Sequence, residues 1–323
     1  MATKKMIAIA VSLQALVLLV NGQVQEQLTP IEMKQRTIVT EPQTQYKGFF
    51  RAGLALNYST IDKIFDEKGD RVSLESNIWA NAWFFQTFLM YGITNRLQVE
   101  VMVPYRFEQI YQSVAYEAPD QGEVGVSKWK TEATGLSDLH VTVAYQLLTE
   151  TEIRPSITAF VTGLLPTGEK NFTNIKSDQE FDKPVGSGEP SVNTVLRLRK
   201  VHYPFSYSVF GSYEVFFGGE KILDPADTEE KPFQSGNNFS VGGYFNFHLN
   251  DWIAIRNSLD YFFSLADEYD GVKEEYNSWV FQYYPGISFQ IKQFRIDQAV
   301  TIPLFGKSSA ADPSYFLIVQ YTF

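Results

Sequence analysis

From Tyr46 onward apolar and polar residues alternate along the chain. A period of two is the period of a strand, whose successive side chains point to opposite faces. The stretch from Ser314 to Phe323 shows it most plainly. Tyr315, Leu317, Val319, Tyr321 and Phe323 share one face, and Ser314, Phe316, Ile318, Gln320 and Thr322 share the other. The first face is wholly apolar or aromatic. In water such a strand at an open edge aggregates. A closed barrel in lipid removes the edge and accepts the apolar face.

The alternation predicts about twelve strands, near 46–59, 77–91, 97–110, 137–148, 154–165, 190–199, 205–217, 237–249, 252–264, 276–291, 294–304 and 314–323. The even-to-odd joins are tight, at 92–96, 149–153, 200–204, 250–251 and 292–293. The odd-to-even joins are mostly long and polar, as at 112–133, 166–188 and 218–236. Outer-membrane barrels have an even strand number, short periplasmic turns and longer outer loops. The expected fold is therefore an all-β, transmembrane, antiparallel up-and-down barrel with both ends of the barrel chain on the periplasmic side. A soluble barrel of the lipocalin kind would need the opposite facing, polar outward and apolar inward. Here one face carries Arg, Glu, Gln and Thr, and the other carries aromatics near strand ends, as interface girdles require. The second strand is aromatic on both parities (Trp79, Trp83, Phe84, Phe85, Phe88), so alternation does not set its facing.

The chain before Tyr46 reads differently. Lys4 and Lys5 precede an apolar run from Met6 to Val20, followed by Asn21 and Gly22. A charged start, a short apolar stretch and small residues describe a secretory signal peptide, expected over 1–22 with cleavage after Gly22. The run falls short of the roughly 20 residues of a spanning helix. Gln23, rather than a cysteine, follows the cut, so no lipid anchor is indicated. Residues 23–45 are polar, with Pro30 and Pro42, and are expected to form a flexible periplasmic extension; a lumen plug or a partner-binding arm is the functional alternative. Residues 46–323 form the barrel.

Composition narrows the class. No second apolar run is long enough for a spanning helix. The formal net charge of −10 argues against nucleic acid as a partner, since that calls for a basic surface. The absence of cysteine excludes disulfides, thiol catalysis and cysteine-ligated zinc. Only His140, His202 and His248 are present, without the spacing of a nucleophile motif or a zinc site. Neither an enzyme, a cofactor nor a metal site is expected. The acidic loops read as solvated surface.

With this facing, the lumen holds Arg51, Glu100, Arg106, Glu108, Arg154, Arg197, Arg199, Glu214, Arg256, Asp260, Arg295 and Asp297. Both signs occur, and buried charges must pair. They form a structural ion-pair network or a lumen that orients a polar or anionic solute; Arg197 and Arg199, adjacent on one strand face, are the best candidates for the second role. Phe160, Phe210, Phe216, Tyr244 and Phe262 add inward bulk. Eight strands leave a filled interior and 16 to 18 an aqueous channel, so twelve imply a narrow, selectively lined passage.

Two resemblances add to this. The last strand resembles that of outer-membrane barrels, which commonly end on a terminal Phe in an aromatic-alternating strand read by the barrel-assembly machinery; this implies an assembly signal at Tyr321 and Phe323. The segment A-T-G-L-S-D-L-H-V-T-V-A-Y-Q-L-L (Ala133 to Leu148), with P-S-I-T-A-F-V-T-G-L-L-P-T-G-E (Pro155 to Glu169), resembles the outer-membrane barrel family named for meta-pathway phenol degradation. Gly135, Leu136, Asp138 and Leu139 match its G-L-G-D-L strand start, with Ser137 where the family usually has Gly. Leu165, Pro166, Thr167 and Gly168 match its L-P-T-G strand end. The resemblance implies passage of hydrophobic or aromatic compounds across the Gram-negative outer membrane. The motif residues also have a plain structural use: Gly135 and Gly168 for backbone freedom, Pro166 to end a strand, Asp138 to cap a loop or pair with a lumen Arg. The expectation is an exported outer-membrane channel, embedded in lipid, passing a small solute through a narrow charged and aromatic lumen. The alternative is a closed structural or surface-interaction barrel whose long loops bind partners.

Overall fold

The computed structural model describes residues 43–74, 78–117, 124–177, 180–222, 224 and 227–323. The expected leader, 1–22, and all of the 23–45 extension except its last three residues lie outside the described residues.

Twelve antiparallel strands form a closed barrel: β1 (Phe50–Ile61), β2 (Ile78–Gly92), β3 (Leu97–Glu117), β4 (Leu139–Leu148), β5 (Ser156–Leu165), β6 (Ser191–His202), β7 (Phe205–Phe216), β8 (Asn238–His248), β9 (Ile253–Ser264), β10 (Ser278–Ile291), β11 (Phe294–Lys307) and β12 (Ser314–Thr322). Each pairs with its neighbours in sequence. β12 closes on β1 with Leu54 opposite Val319 and Ala52 opposite Tyr321. The Phe323 amide donates to the Phe50 carbonyl at 2.8 Å, which fastens the end of the chain to its first strand. Closure leaves no free edge in the ring.

The barrel is inside out relative to a soluble domain. Its buried side chains include Gln98, Thr158, Ser206, Ser208, Ser288, Gln290, Asp297 and Gln320, and most of its buried apolar residues in the strands are alanines. Leu54, Leu89, Leu196, Val209, Val241 and Leu259 stand exposed on the outer face. An apolar surface this continuous is a contact surface for something other than water, and the lipocalin arrangement is excluded. Aromatic pairs ring both ends. Phe50 and Tyr91 (4.5 Å) with Phe205 and Phe245 (5.2 Å) lie at the tight-turn end. Tyr58 with Trp83 (4.3 Å) and Tyr261 with Trp279 (5.9 Å) lie at the loop end.

The structure settles the facing of β2. Arg51 pairs with Met90, Gly53 with Phe88 and Asn57 with Phe84, so even-numbered residues point inward, and Trp79, Trp83 and Phe85 point outward. Phe88 fits the interior because β1 has a glycine opposite it: a Cβ on Gly53 would lie 2.3 Å from the Phe88 ring.

One expectation is corrected. The stretch 112–133 is not a polar loop. β3 continues to Glu117 and pairs residue by residue with a further strand, Val124–Leu136, as a ribbon. Beyond the lipid nothing imposes apolar alternation, while the backbone ladder continues. The ribbon breaks at Ser137 and Asp138. Below the break β3 pairs with β4, from Leu97 opposite Tyr145 to Met102 opposite His140. Above it, the second edge of the ribbon strand pairs with no barrel strand among the described residues. The loop between β5 and β6 lies along it instead: Asp182 pairs with Glu132 in parallel, and the Lys183 amide donates to the Glu132 carbonyl at 2.5 Å. Other long loops carry short strands in two accessory sheets, one of Lys63–Phe65, Arg71–Ser73 and Ser309–Ala310, the other of Gly219–Lys221, Lys231–Gln234, Glu268–Tyr269 and Val272–Lys273.

Candidate functional site

The half of the lumen next to the tight turns encloses a cavity of about 510 Å³. Alternation on strands that are apolar outside places polar side chains along its wall. β1 contributes Arg51, β3 contributes Gln98 and Glu100, β5 contributes Phe160, and β6 contributes Arg197 and Arg199. β8 adds Tyr244, Asn246 and His248, β9 adds Arg256, and β11 adds Arg295 and Asp297. Five guanidinium groups therefore share this space with two carboxylates, in a chain whose net charge is −10.

Asp297 organises one side. It accepts Arg256 Nη1 at 2.8 Å, Arg295 Nε at 2.7 Å and Arg295 Nη2 at 2.9 Å, and the hydroxyl of Ser288. Two arginines on one buried carboxylate form a charge-assisted network that fixes both guanidinium planes. Arg51 donates Nε to Thr322 Oγ1 at 3.0 Å. Arg197 is held differently. Its guanidinium carbon lies 4.7 Å from the centre of the Phe160 ring and 5.7 Å from that of Tyr244. Among the described residues its buried Nε has no hydrogen-bond partner. The wall carries further buried polar atoms in the same condition, among them Asn246 Oδ1, His248 Nδ1 and both amide atoms of Gln43.

The floor of the cavity is made by residues that the periodicity did not mark. Gln43 and Gln45 line it. The Gln45 amide donates to Gln98 Oε1 at 2.8 Å, Thr44 Oγ1 donates to the Asn95 carbonyl at 3.2 Å, and the Lys47 amide donates to Asn95 Oδ1 at 3.0 Å. The chain passes so close to the β2–β3 turn that a Cβ on Gly92 would sit 2.0 Å from the Tyr46 carbonyl oxygen. That glycine opposite a strand start was the available signal.

The other lumen candidates sit elsewhere. Arg106 pairs with Glu108 and lies over the Phe84 ring at 5.4 Å. Glu214 accepts Ser191 Oγ at 2.7 Å and Asn238 Nδ2 at 3.1 Å. Asp260 accepts the Tyr284 hydroxyl at 3.1 Å. All three lie in the loop-side half. Arg154 falls in the turn before β5, where its Nη2 donates to the Thr149 carbonyl at 3.5 Å. Ser206 Oγ and His248 Nε2 meet at 2.9 Å in the cavity wall. Among the described residues no acid meets His248 Nδ1, so the pair has no third member of a triad there.

The motif residues converge on one knot outside the cavity lining. Asp138 Oδ1 accepts the Gly168 amide at 3.0 Å and Oδ2 accepts the Ser187 amide at 2.6 Å. Thr167 Oγ1 accepts the Leu139 amide at 3.0 Å. Gly168 packs on Gly186 so tightly that a Cβ there would lie 2.8 Å from the Gly186 Cα. Pro166 starts the loop, and Gly135, at φ +156, faces Val185. The knot tethers the β5–β6 loop across the break in the ribbon strand. At the C-terminus, Tyr321 and Phe323 are exposed and pack edge to face at 4.9 Å.

No family model matches the chain. Among solved structures it is similar to an outer membrane channel from Pseudomonas putida F1, at 13% identity and a TM-score of 0.67, over 92% of this chain and 100% of that one. That similarity shows a shared fold. A toluene transporter from Ralstonia pickettii aligns at 10% identity and a TM-score of 0.42, over 94% and 95% of the two chains. The translocator domain of an autotransporter from Neisseria meningitidis aligns at 7% identity and 0.44, over 87% and 90%. Neither of these two is close enough to bear on function.

Proposed function

We propose that the protein is an outer-membrane channel through which small solutes pass by diffusion. The observation that carries this is the pairing of opposites: an apolar outer face girdled by aromatics, around a polar cavity with buried hydrogen-bonding atoms that no group among the described residues satisfies. A wall built only for stability would pair those atoms, since each unpaired buried polar group costs about 1–3 kcal/mol. The channel from Pseudomonas putida F1 with the same fold supports the reading. The tight turns face the periplasm and the ribbon and accessory sheets face outward. Residues 1–22 act as an export signal, and Tyr321 and Phe323 present the assembly signal on the outer face of the closing strand.

The lumen is lined by charge, amides and a few rings, so a solute with a polar or ionic group gains more from it than a purely hydrophobic one. Of the compounds implied by the phenol-degradation resemblance, the aromatic ones suit Phe160 and Tyr244. The Gln43–Gln45 floor makes the passage narrow.

The test is single-channel recording of the mature chain refolded in a planar bilayer, with and without residues 23–45. We expect small, steady, ohmic conductance that rises on deletion, because Gln43 and Gln45 leave the lumen. Folded protein that conducts in neither form would overturn the proposal and favour a closed barrel whose loops bind partners.

A further inference from the structure

We infer that the cavity is a binding site for small aromatic carboxylates, read by Arg197, which makes the channel selective for organic anions. This rests on the channel reading for its transport consequence, though the binding site itself does not require it.

The first ground is charge. Arg51, Arg197, Arg199, Arg256 and Arg295 outnumber Glu100 and Asp297 in one enclosed space. Asp297 is already shared between Arg256 and Arg295. The chain as a whole is acidic, so the excess is local and does not follow from composition. A cleft lined by one sign of charge with low-dielectric walls concentrates ions of the other sign.

The second ground is the state of Arg197. Among the described residues no carboxylate pairs with it, and its Nε is buried with no acceptor. Leaving such a donor unmet is costly unless something arrives to meet it. The Phe160 and Tyr244 rings beside it attract the guanidinium through their faces, a contact that uses none of its N–H donors. That geometry suits a planar, two-oxygen acceptor, because a guanidinium binds carboxylate as a fork. The same two rings offer contact surface to an aromatic body attached to the carboxylate. The cavity, about 510 Å³, lies within the roughly 300–1,000 Å³ usual for small-molecule sites.

The third ground is the rest of the wall. Gln43 brings both amide atoms unpartnered into the same space. An amide can donate to the anion as it leaves the arginine and so keeps the site from being a trap.

The experiment is isothermal titration of the detergent-solubilised mature protein with benzoate, and with benzyl alcohol as the neutral comparison, in the wild type, Arg197→Gln and Arg197→Lys. Folding of each variant is checked by its heat-dependent electrophoretic shift. We expect benzoate to bind the wild type at least tenfold more tightly than Arg197→Gln, with Arg197→Lys between, and benzyl alcohol to bind no variant measurably. Equal benzoate affinity in wild type and Arg197→Gln would overturn the inference, as would benzyl alcohol binding as well as benzoate. Sulfate displacing benzoate at equal concentration would overturn its aromatic half. Reversal potentials in a salt gradient separate this from the channel reading. Benzoate binding lost in Arg197→Gln, in a protein that never conducts, supports the site and sinks the channel. A conducting barrel that prefers cations keeps the channel and sinks the selectivity.

Discussion

The two halves of the lumen hold charge in opposite ways. On the loop side each candidate charge is satisfied by near neighbours: Arg106 by Glu108 and the Phe84 ring, Glu214 by Ser191 and Asn238, Asp260 by Tyr284. On the tight-turn side five guanidinium groups crowd two carboxylates around a cavity, and buried donors and acceptors go unmet among the described residues. Charges matched locally hold a wall together. Charges left in excess cost stability, and a fold that keeps them beside a cavity has a use for an ion of the other sign. The difference separates architecture from function within one lumen.

The largest break in that comparison comes from Asp297→Ala. Asp297 is buried and serves Arg256, Arg295 and Ser288 at once, so its loss takes the shared carboxylate from two arginines. Breaking a buried ion pair from one side costs about 3–5 kcal/mol. We expect a clear fall in the denaturant midpoint of the refolded barrel, together with stronger anion selectivity in what remains folded. Arg106→Ala, in the loop-side half, is the control. Its pair is partly exposed, such pairs contribute about 0–1 kcal/mol, and selectivity should not move. Equal destabilisation by the two substitutions would erase the distinction between the halves.

A smaller effect sharpens it. Asp138 stabilises the β5–β6 loop through two backbone amides, those of Gly168 and Ser187, and contributes nothing to the cavity wall. Asp138→Ala leaves both amides without their acceptor, at about 1–3 kcal/mol for each buried group. The loss stays local. Hydrogen exchange over residues 166–190 should speed up while the barrel midpoint and benzoate affinity hold. A matching drop in benzoate affinity would mean that the knot and the cavity are coupled, contrary to their separation in the structure.

Much of this was legible from alternation alone. Lipid outside and water inside leave a period-two record, and it placed the strands, their even number, the short and long joins and the inward parity of Arg51, Arg197 and Asp297. What it could not carry is anything the bilayer does not impose. The 105–117 and 124–136 ribbon extends past the ring of barrel strands, where the alternating pattern dissolves while the backbone ladder persists. β2 has rings on both faces and needed Gly53 on its neighbour to say which went inward. Which inward charges share a height depends on the register accumulated around twelve strands. Arg51 and Asp297, far apart in sequence, become neighbours in one cavity only after β12 closes on β1. Gln43 and Gln45 enter the lumen from a polar, unpatterned segment and left no periodic trace.

The smallest expected effect concerns pH, and it falls on the loop side only. Glu189, at the end of the β5–β6 loop, is fully buried and accepts the Ser235 amide with both oxygens at 3.1 Å. Burial pushes its carboxyl above the usual carboxylate range, and the Ser235 hydrogen bond and the charge of Lys221 only partly offset this. The folded loop therefore holds its proton more tightly than the unfolded chain. The sign follows from linkage. The carboxyl's contribution to stability is complete below the unfolded pKa, near 4.3, and is lost as pH rises through the higher folded value. Protease cleavage of the loop between β7 and β8 should accordingly become easier as pH rises out of the acid range, by a few-fold at most, and Glu189→Gln should flatten that profile. Glu189 does not line the cavity, so benzoate affinity, measured where benzoate itself is ionised, should stay level. A parallel pH dependence in loop cleavage and in benzoate binding would show that the two halves of the lumen are not independent.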